Sequence, residues 1–264
     1  MKTYTAVSSS LINEDIYPNF LIGKIHSIYH KVVNIVFDNM YRRRMITIMK
    51  DSPTYLPDSI NITAEAFNDL LGYSIDDEVI MTSDYLFFNN MKIKFANCKM
   101  CKLNKIEEFN PKAIESLIKH KEKITGLKNL SLEKYKNIYE SLSNYAKSGN
   151  IKDIRNIIGY GSGLTPASDD AIVGITLVLY AKRRLINYDI NYINNLISGQ
   201  TTSVSEKYLV CSLMGYFSEI LQNICYSLIN NRNLDELIGS LENIGATSGS
   251  DILQGIILGV TFNK

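Results

Sequence analysis

The spacing of apolar residues changes near Leu103, and this change limits the chain to folds with two differently built parts. Before it, short runs rich in β-branched and aromatic residues alternate with turn residues, as in strands. After it, longer segments have the apolar spacing of helices. We therefore predict an α+β protein, with a β-rich sheet or small barrel over residues 1–108 and a helical bundle over residues 109–264.

The strands of the first part are predicted from their composition and from the turns between them. A strand over 25–37 is followed by a turn at Asp38-Asn39 and a second strand over 45–49. Asn89-Asn90 is predicted as a hairpin turn, because asparagine tolerates left-handed backbone angles. Thr63 is the predicted N-cap of a short helix, and the remaining strands are expected at 79–82, 85–88 and 91–95.

Capping residues place the helices of the second part. Pro111 stands at a helix start, and the helix is predicted to run to residue 122. Ser131 is predicted to cap a helix that continues to about Lys147. The apolar segment 204–229 is predicted as one long central helix, and shorter helices are predicted at 235–241 and 251–262.

The composition indicates which classes of binding partner and which cellular compartment to expect for this protein. The chain has 28 Lys and Arg against 27 Asp and Glu, so its formal charge of +1 favours neither nucleic acid nor an anionic membrane as a partner. Cys98 and Cys101 form a single CxxC without a second ligand pair, which predicts two reduced thiols rather than a zinc site. Reduced cysteines and a start without the pattern of a signal peptide indicate the cytoplasm.

A glycine-rich loop stands directly before the apolar helix that follows residue 168. It reads Gly159-Tyr-Gly-Ser-Gly-Leu-Thr-Pro-Ala-Ser-Asp-Asp170. Its glycines permit positive backbone angles and the close approach of a ligand to the main chain. Ser168 is the predicted N-cap of a helix over 169–184, with Asp169 and Asp170 in its first turn.

A shorter version of this loop precedes the last apolar helix. Gly245-Ala-Thr-Ser-Gly-Ser-Asp251 again combines glycines, hydroxyls and an aspartate, and Asp-x-x-x-Gly-Ile recurs 81 residues after its first appearance. Two such loops predict two halves of one site. Backbone amides at helix starts bind phosphate or carboxylate, whereas the aspartates suit an amide NH2 or a magnesium ion beside a phosphate. The alternative, that these residues only make turns and caps, has equal weight on chemical grounds.

These motifs resemble those of the oxamate carbamoyltransferase AllH-type subunit family. The usual family form of the first loop is Gly-Leu-Gly-Pro-Gly-Leu-Thr-Pro-Ser-Gly-Asp-Asp; Ser162, Ala167 and Ser168 depart from it here. The second loop is similar to the family's Gly-His-Thr-Ser-Gly-x-Asp, with Ala246 replacing the histidine, so that no imidazole can act there. Segment 25–29 is similar to the family's Val-His-Ser-x-Phe, and the resemblance runs from about residue 20 to the end.

The resemblance implies a subunit of a cytoplasmic carbamoyltransferase that converts oxalurate and phosphate to oxamate and carbamoyl phosphate in anaerobic allantoin breakdown. The implied partners are the other subunits of that enzyme and these small molecules. Two alternatives stay open: a non-catalytic scaffold subunit, and a regulatory module that binds phosphate or another small anion.

We hypothesise that the two loops line one pocket. The expected catalytic residues are Asp169, Asp170 and Asp251, and the expected ligand-binding residues are Gly161, Ser162, Gly163, Thr165, Thr247 and Ser248. Further candidates lie outside the loops. His26 is on a predicted strand together with His30, and Thr202 lies in a third polar helix start that could complete the ring around the pocket.

Overall fold

The computed structural model describes residues 1–9, 20–38, 43–106, 108–121 and 124–263, without the side chains of 43 and 96–98. The chain divides into two compact units, Met1–Lys102 and Leu103–Lys264. Each unit contains its own cluster of buried apolar side chains.

The first unit is a closed barrel of eight strands with the order β1-β5-β4-β3-β2-β6-β7-β8. Strands β1 and β8 pair in parallel and close the barrel, and β4 and β5 are also parallel. A short helix α1 (Ala64–Leu70) follows β5, with Thr63 as its N-cap as predicted. The strands are β1 (Lys2–Ser9), β2 (Leu21–Ile28), β3 (Val32–Asp38), β4 (Arg43–Lys50), β5 (Ser59–Ile62), β6 (Glu78–Met81), β7 (Tyr85–Phe87) and β8 (Met91–Lys99).

The predicted barrel and the hairpin at Asn89-Asn90 are confirmed, but the single strand over 25–37 is wrong. The segment forms two antiparallel strands, and the turn between them is closed by the Tyr29 amide, which donates to Val32 O at 2.7 Å. This turn contains neither glycine nor proline, so the composition does not reveal it. His30 lies in the turn, exposed, and does not share a strand face with His26; Asn39 lies outside the described residues.

Arg44, the last of three consecutive arginines, is buried in the barrel unit. Only 6% of Arg44 is exposed, and its guanidinium donates to both carboxylate oxygens of Asp58 at 2.6 and 3.2 Å. A paired, hydrogen-bonded geometry of this kind offsets the cost of burying the two charges. Arg44 therefore joins β4 to the turn before β5 and is not available to a phosphate.

The second unit is helical, as predicted; that its helices pack as a bundle stays a prediction. None of its described helices is long and apolar enough to cross a membrane. The helices are α2 (Pro111–Ile118), α3 (Leu132–Ser148), α4 (Ala167–Ala181), α5 (Ile190–Ile197), α6 (Ser203–Leu213), α7 (Glu219–Asn230), α8 (Leu234–Glu242) and α9 (Ser248–Phe262), with short 3₁₀ helices at Thr125–Leu127 and Ile151–Ile157.

The predicted long helix over 204–229 is wrong, because the chain breaks between α6 and α7. Gly215 has a φ of +84°, a left-handed conformation that ends a helix. A side chain at this position would lie 2.1 Å from the ring of Tyr180, so the break is also a site of close packing. Apolar periodicity continues across the break and therefore does not report it. Helix α2 likewise ends at Ile118, four residues before the predicted end.

Helices α4 and α9 run side by side in the same direction, and two glycines let their main chains touch. A Cβ on Gly174 would lie 2.1 Å from the Ile252 carbonyl, and a Cβ on Gly255 would lie 2.1 Å from the Ala171 carbonyl. These are equivalent positions of the two Asp-x-x-x-Gly-Ile segments, so the repeat in the sequence corresponds to a symmetric helix contact. Because both helices begin at the same end, this contact brings their starts together.

We expect Gly174→Ala to destabilise the protein by about 2 kcal/mol, because the new methyl group overlaps a backbone oxygen that cannot move freely. Gly239, in α8, has no atom within 4 Å of the position that a Cβ would take, so Gly239→Ala is the matched control. We expect the control to be neutral or stabilising by up to about 1 kcal/mol. Urea denaturation followed by circular dichroism measures both; equal effects of the two substitutions would contradict the close contact.

Candidate functional site

The two glycine-rich loops meet at the starts of α4 and α9. The Thr165 Oγ1 and Ser248 Oγ atoms lie 2.7 Å apart, which joins the loops through a hydrogen bond. Both hydroxyls lie close enough to the carboxyl of Asp170 to lower its pKa. Thr165 and Ser248 are half-buried, so they lie between the interior and the solvent. The candidate site is therefore a layer of hydroxyls with a carboxyl beneath it.

The first loop has an exposed outer part and a tightly packed base. Gly161 has a φ of +131°, and a Cβ there would lie 2.4 Å from the Ala167 amide nitrogen. Only a glycine can bring the main chain this close to the helix start. Ser162 and Gly163 are exposed, and the space around Gly163 is open. The main chain of this loop is therefore accessible to a ligand.

Asp169 holds the loop instead of facing solvent. It is 1% exposed, and its Oδ1 accepts the Gly159 amide at 2.7 Å. Its Oδ2 accepts the hydroxyls of Thr201 and Ser205, each at 2.6 Å. Both carboxylate oxygens are occupied by donors of the protein, and the catalytic role expected for Asp169 stays a prediction.

The prediction that Ser168 is the N-cap of α4 is wrong. The helix begins at Ala167, with Pro166 as the capping position, and ends at Ala181. The Ser168 hydroxyl instead accepts the amide of Tyr160 at 2.9 Å. Ser168 thus fastens the glycine loop from inside the first turn of the helix.

Asp251 is completely buried and fixes a third segment to the two loops. Its Oδ1 accepts the Thr125 amide at 2.6 Å and the Gly126 amide at 3.1 Å. A Cβ on Gly126 would lie 2.5 Å from the Ala167 Cβ, so this segment packs tightly against the start of α4. Burial raises the pKa of Asp251, and these hydrogen bonds oppose the rise.

Asp170 differs from the other two aspartates. It is 6% exposed, and its Oδ2 is buried without a hydrogen-bond partner among the described residues. Burial raises the pKa of Asp170, the hydroxyls of Ser248 and Thr165 lower it, and the charges of Asp251 and Asp169 raise it; the resulting pKa is about 8. A carboxyl with this pKa holds a proton at neutral pH. Asp170 is thus a buried acid in contact with the two hydroxyls.

The charged side chains that the structure describes among the predicted site residues, Asp169, Asp170 and Asp251, are acidic. No described Lys or Arg forms an ion pair with Asp169, Asp170 or Asp251. Nor does any cluster of three or more described His, Cys, Asp or Glu side chains have the arrangement of a metal site. A magnesium ion beside a bound phosphate would thus depend on ligands from the substrate as well as from these residues.

The remaining predicted residues fall in different places. Thr202 is the N-cap of α6 and donates its hydroxyl to the carbonyl of Leu164, so the third polar helix start contacts the first loop. His26 lies in the barrel unit on β2, half-buried, with Nδ1 3.2 Å from the Ser27 hydroxyl. Its role in a site stays a prediction.

Sequence reasoning missed the segment at Thr125 and Gly126. It lies 125 residues before Asp251 in the chain and contains no recognisable motif. Gly126, next to a hydroxyl residue, was the one available signal. A glycine next to a hydroxyl residue is common in sequences, so only the fold shows that Thr125 and Gly126 contact Asp251.

Comparison with known protein families confirms the resemblance that these motifs indicated. The model of the oxamate carbamoyltransferase subunit AllH matches residues 157–260, and the model of the AllH family N-terminal domain matches residues 4–100. The chain belongs to the AllH family. The first match includes both glycine-rich loops, and the second lies within the barrel unit. The family name describes a subunit of oxamate carbamoyltransferase, so other subunits are the partners it implies. No solved structure matches the chain.

The raised pKa of Asp170 predicts a pH-dependent stability. An unfolded aspartate titrates near 3.8 and Asp170 in the folded protein near 8, so between these values the folded state holds a proton that the unfolded state has released. The free energy of unfolding therefore falls as pH rises through this range, by up to about 1.4 kcal/mol per pH unit. Above about pH 8 this contribution is constant.

Urea denaturation at several pH values tests this dependence. We expect Asp170→Asn to remove the part of the pH dependence of the unfolding free energy that is assigned to Asp170, since the amide does not titrate. Glu140→Gln, at an exposed position of α3, is the control and should keep the wild-type slope. A variant Asp170→Asn with an unchanged slope would show that Asp170 is ionised in the folded protein.

Proposed function

We propose that the chain is a catalytic subunit of a carbamoyltransferase that converts oxalurate and phosphate to oxamate and carbamoyl phosphate. The site is the layer of hydroxyls where α4 and α9 begin. The observation that carries the proposal is the buried carboxyl of Asp170, whose Oδ2 has no hydrogen-bond partner among the described residues, next to the paired hydroxyls of Thr165 and Ser248. Membership of the AllH family supports the class of reaction.

The two helix starts suit ligands of this kind. Oxalurate, oxamate and carbamoyl phosphate each combine an anionic end with an amide. Amides at a helix N-terminus bind anions, and two parallel helices direct their positive ends to the same place. The main chain at Gly161, Ser162 and Gly163 and the hydroxyls of Thr165, Thr247 and Ser248 would hold the substrate. The same donors would stabilise the oxyanion that forms when the carbamoyl carbon is attacked.

Transfer of the carbamoyl group requires one proton at the leaving nitrogen. A phosphate oxygen forms a bond to the carbamoyl carbon of oxalurate, and the bond from that carbon to the oxamate nitrogen breaks. The nitrogen leaves as the amide of oxamate and takes a proton. Asp170 supplies this proton through the hydroxyl of Ser248 or Thr165, and its pKa of about 8 suits an acid that works near neutral pH.

Asp169 and Asp251 position the site in this proposal. Asp169 fixes the first loop to α6, and Asp251 fixes the segment at Thr125 to α9. Neither has a carboxylate oxygen free of protein donors, so the acid role falls to Asp170. The resemblance to the family supports placing the reaction in anaerobic allantoin breakdown in the cytoplasm.

A scaffold subunit is the second candidate, and one observation favours it. The dense bonding of Asp169 and Asp251 is that of a rigid support, which a chain needs for assembly as much as for catalysis. The two candidates differ in what happens when Asp170 loses its acidity. A catalytic subunit loses activity and still assembles, whereas a scaffold keeps its activity for as long as it assembles.

We expect Asp170→Asn to lower the kcat of the assembled carbamoyltransferase by about 100-fold or more, because the amide cannot serve as an acid. The wild-type rate should fall above about pH 8, as Asp170 loses its proton, and the variant should lack this decline. The measurement is the formation of carbamoyl phosphate from oxalurate and phosphate between pH 6 and about 9.5.

Glu140→Gln on α3 is the control for this experiment and should keep the wild-type rate and pH profile. Size-exclusion chromatography of each complex establishes that the subunits remain together. Full activity of the Asp170→Asn complex would reject the catalytic proposal and favour the scaffold.

A further inference from the structure

We infer that the barrel unit binds a small organic cation in a cavity between the end of α1 and the turn of the hairpin β7–β8. The cavity has a volume of about 700 Å³, within the range of small-molecule sites in proteins. The lining residues that the structure describes belong to the barrel unit. The inference is independent of the proposed function, whose residues belong to the helical unit.

Hydrogen bonds hold three segments of the chain around this cavity. The Lys2 amide donates to the Asn90 carbonyl at 3.1 Å, and the Asn90 amide donates to the Tyr73 hydroxyl at 3.1 Å. These two bonds join the start of β1, the hairpin turn and the segment after α1. The walls of the cavity are therefore formed by the folded barrel itself, and a ligand does not have to order them.

One part of the lining is aromatic and apolar. Tyr73 and Phe88 both line the cavity, and their ring centroids lie 5.3 Å apart with the ring planes tilted by 52°. Phe88 and Met91 are buried, and Tyr73 is half-buried. Such a wall offers contact area to the carbon skeleton of a ligand, and the face of an aromatic ring also attracts a cation.

The charged part of the lining is mainly acidic. Its described members are the carboxylates of Asp69, Asp77 and Glu78 and the ammonium group of Lys2. Lys2 Nζ donates to Asp69 Oδ2 at 2.6 Å, so these two charges offset each other. Lys24 lies opposite Glu78 in the pairing of β2 with β6, and even with Lys24 included the carboxylates outnumber the ammonium groups. The cavity therefore favours a ligand with a positive charge.

The two parts of the lining together define the class of ligand. An amine, amidine or guanidinium group would pair with Glu78 and Asp77, since charge-assisted hydrogen bonds to carboxylates are the strongest that these side chains form. The planar or apolar body of the ligand would lie against Tyr73 and Phe88. A small anion would be repelled by the carboxylates, and a neutral molecule of the same shape would gain only the contact with the rings.

Two probes of nearly the same shape test the charge preference. Benzamidine is a cation with an aromatic ring, and benzamide is its neutral counterpart. We expect the full chain to bind benzamidine about 10-fold or more tightly than benzamide, because only benzamidine pairs with the carboxylates. Isothermal titration measures both affinities. Equal affinities, or no binding of benzamidine, would overturn the inference.

A substitution in the lining locates the binding site. Glu78 is exposed, so Glu78→Gln should leave the barrel folded and weaken the binding of benzamidine by about 3-fold or more, with the affinity for benzamide unchanged. Glu140→Gln, at an exposed position of α3 in the helical unit, removes one carboxylate elsewhere and should keep the wild-type affinity for both probes. Equal effects of the two substitutions on benzamidine would overturn the assignment of the cation to this cavity.

Discussion

The close contact between α4 and α9 is the feature on which the helical unit depends. Gly174 and Gly255 remove the side chains that would keep the two helices apart, and each main chain then lies against a carbonyl of the other helix. Because the helices are parallel, the contact brings two helix starts and two polar loops to one end. The 2.7 Å between the hydroxyls of Thr165 and Ser248 joins the two loops at this end, where Asp251 also binds the amide of Thr125.

The three aspartates at this end have different roles because they meet different donors. Asp169 and Asp251 are surrounded by amides and hydroxyls, which satisfy a carboxylate inside the protein. Asp170 has fewer donors and is buried to a similar extent, so its pKa rises to about 8. Neighbouring positions in the chain, Asp169 and Asp170, thus differ in their surroundings: both oxygens of Asp169 accept protein donors, whereas Oδ2 of Asp170 has no partner among the described residues. The difference arises from the direction of each side chain on the helix, not from its type.

Much of the fold and part of the site could be predicted from local signals. Thr63 and Ser131 are capping residues, and Asn89-Asn90 is a hairpin turn, because each acts through a few bonds within its own segment. The Asp-x-x-x-Gly-Ile repeat indicated two related helix starts. Predictions failed where the sequence carries no local sign of the feature: the turn near His30 contains neither glycine nor proline, and the helix break at Gly215 packs against Tyr180, which is distant in sequence.

The sequence by itself determined the two-part α+β organisation, the AllH family and the loops that matter, since periodicity, capping and motifs are properties of short segments. Only the tertiary structure decided that both oxygens of Asp169 accept protein donors while Oδ2 of Asp170 has none among the described residues, and that Thr125 and Gly126 contact Asp251. The physical reason is that burial and hydrogen bonding depend on which groups the fold brings within a few ångströms. Residues far apart in the chain carry no local sign of that proximity.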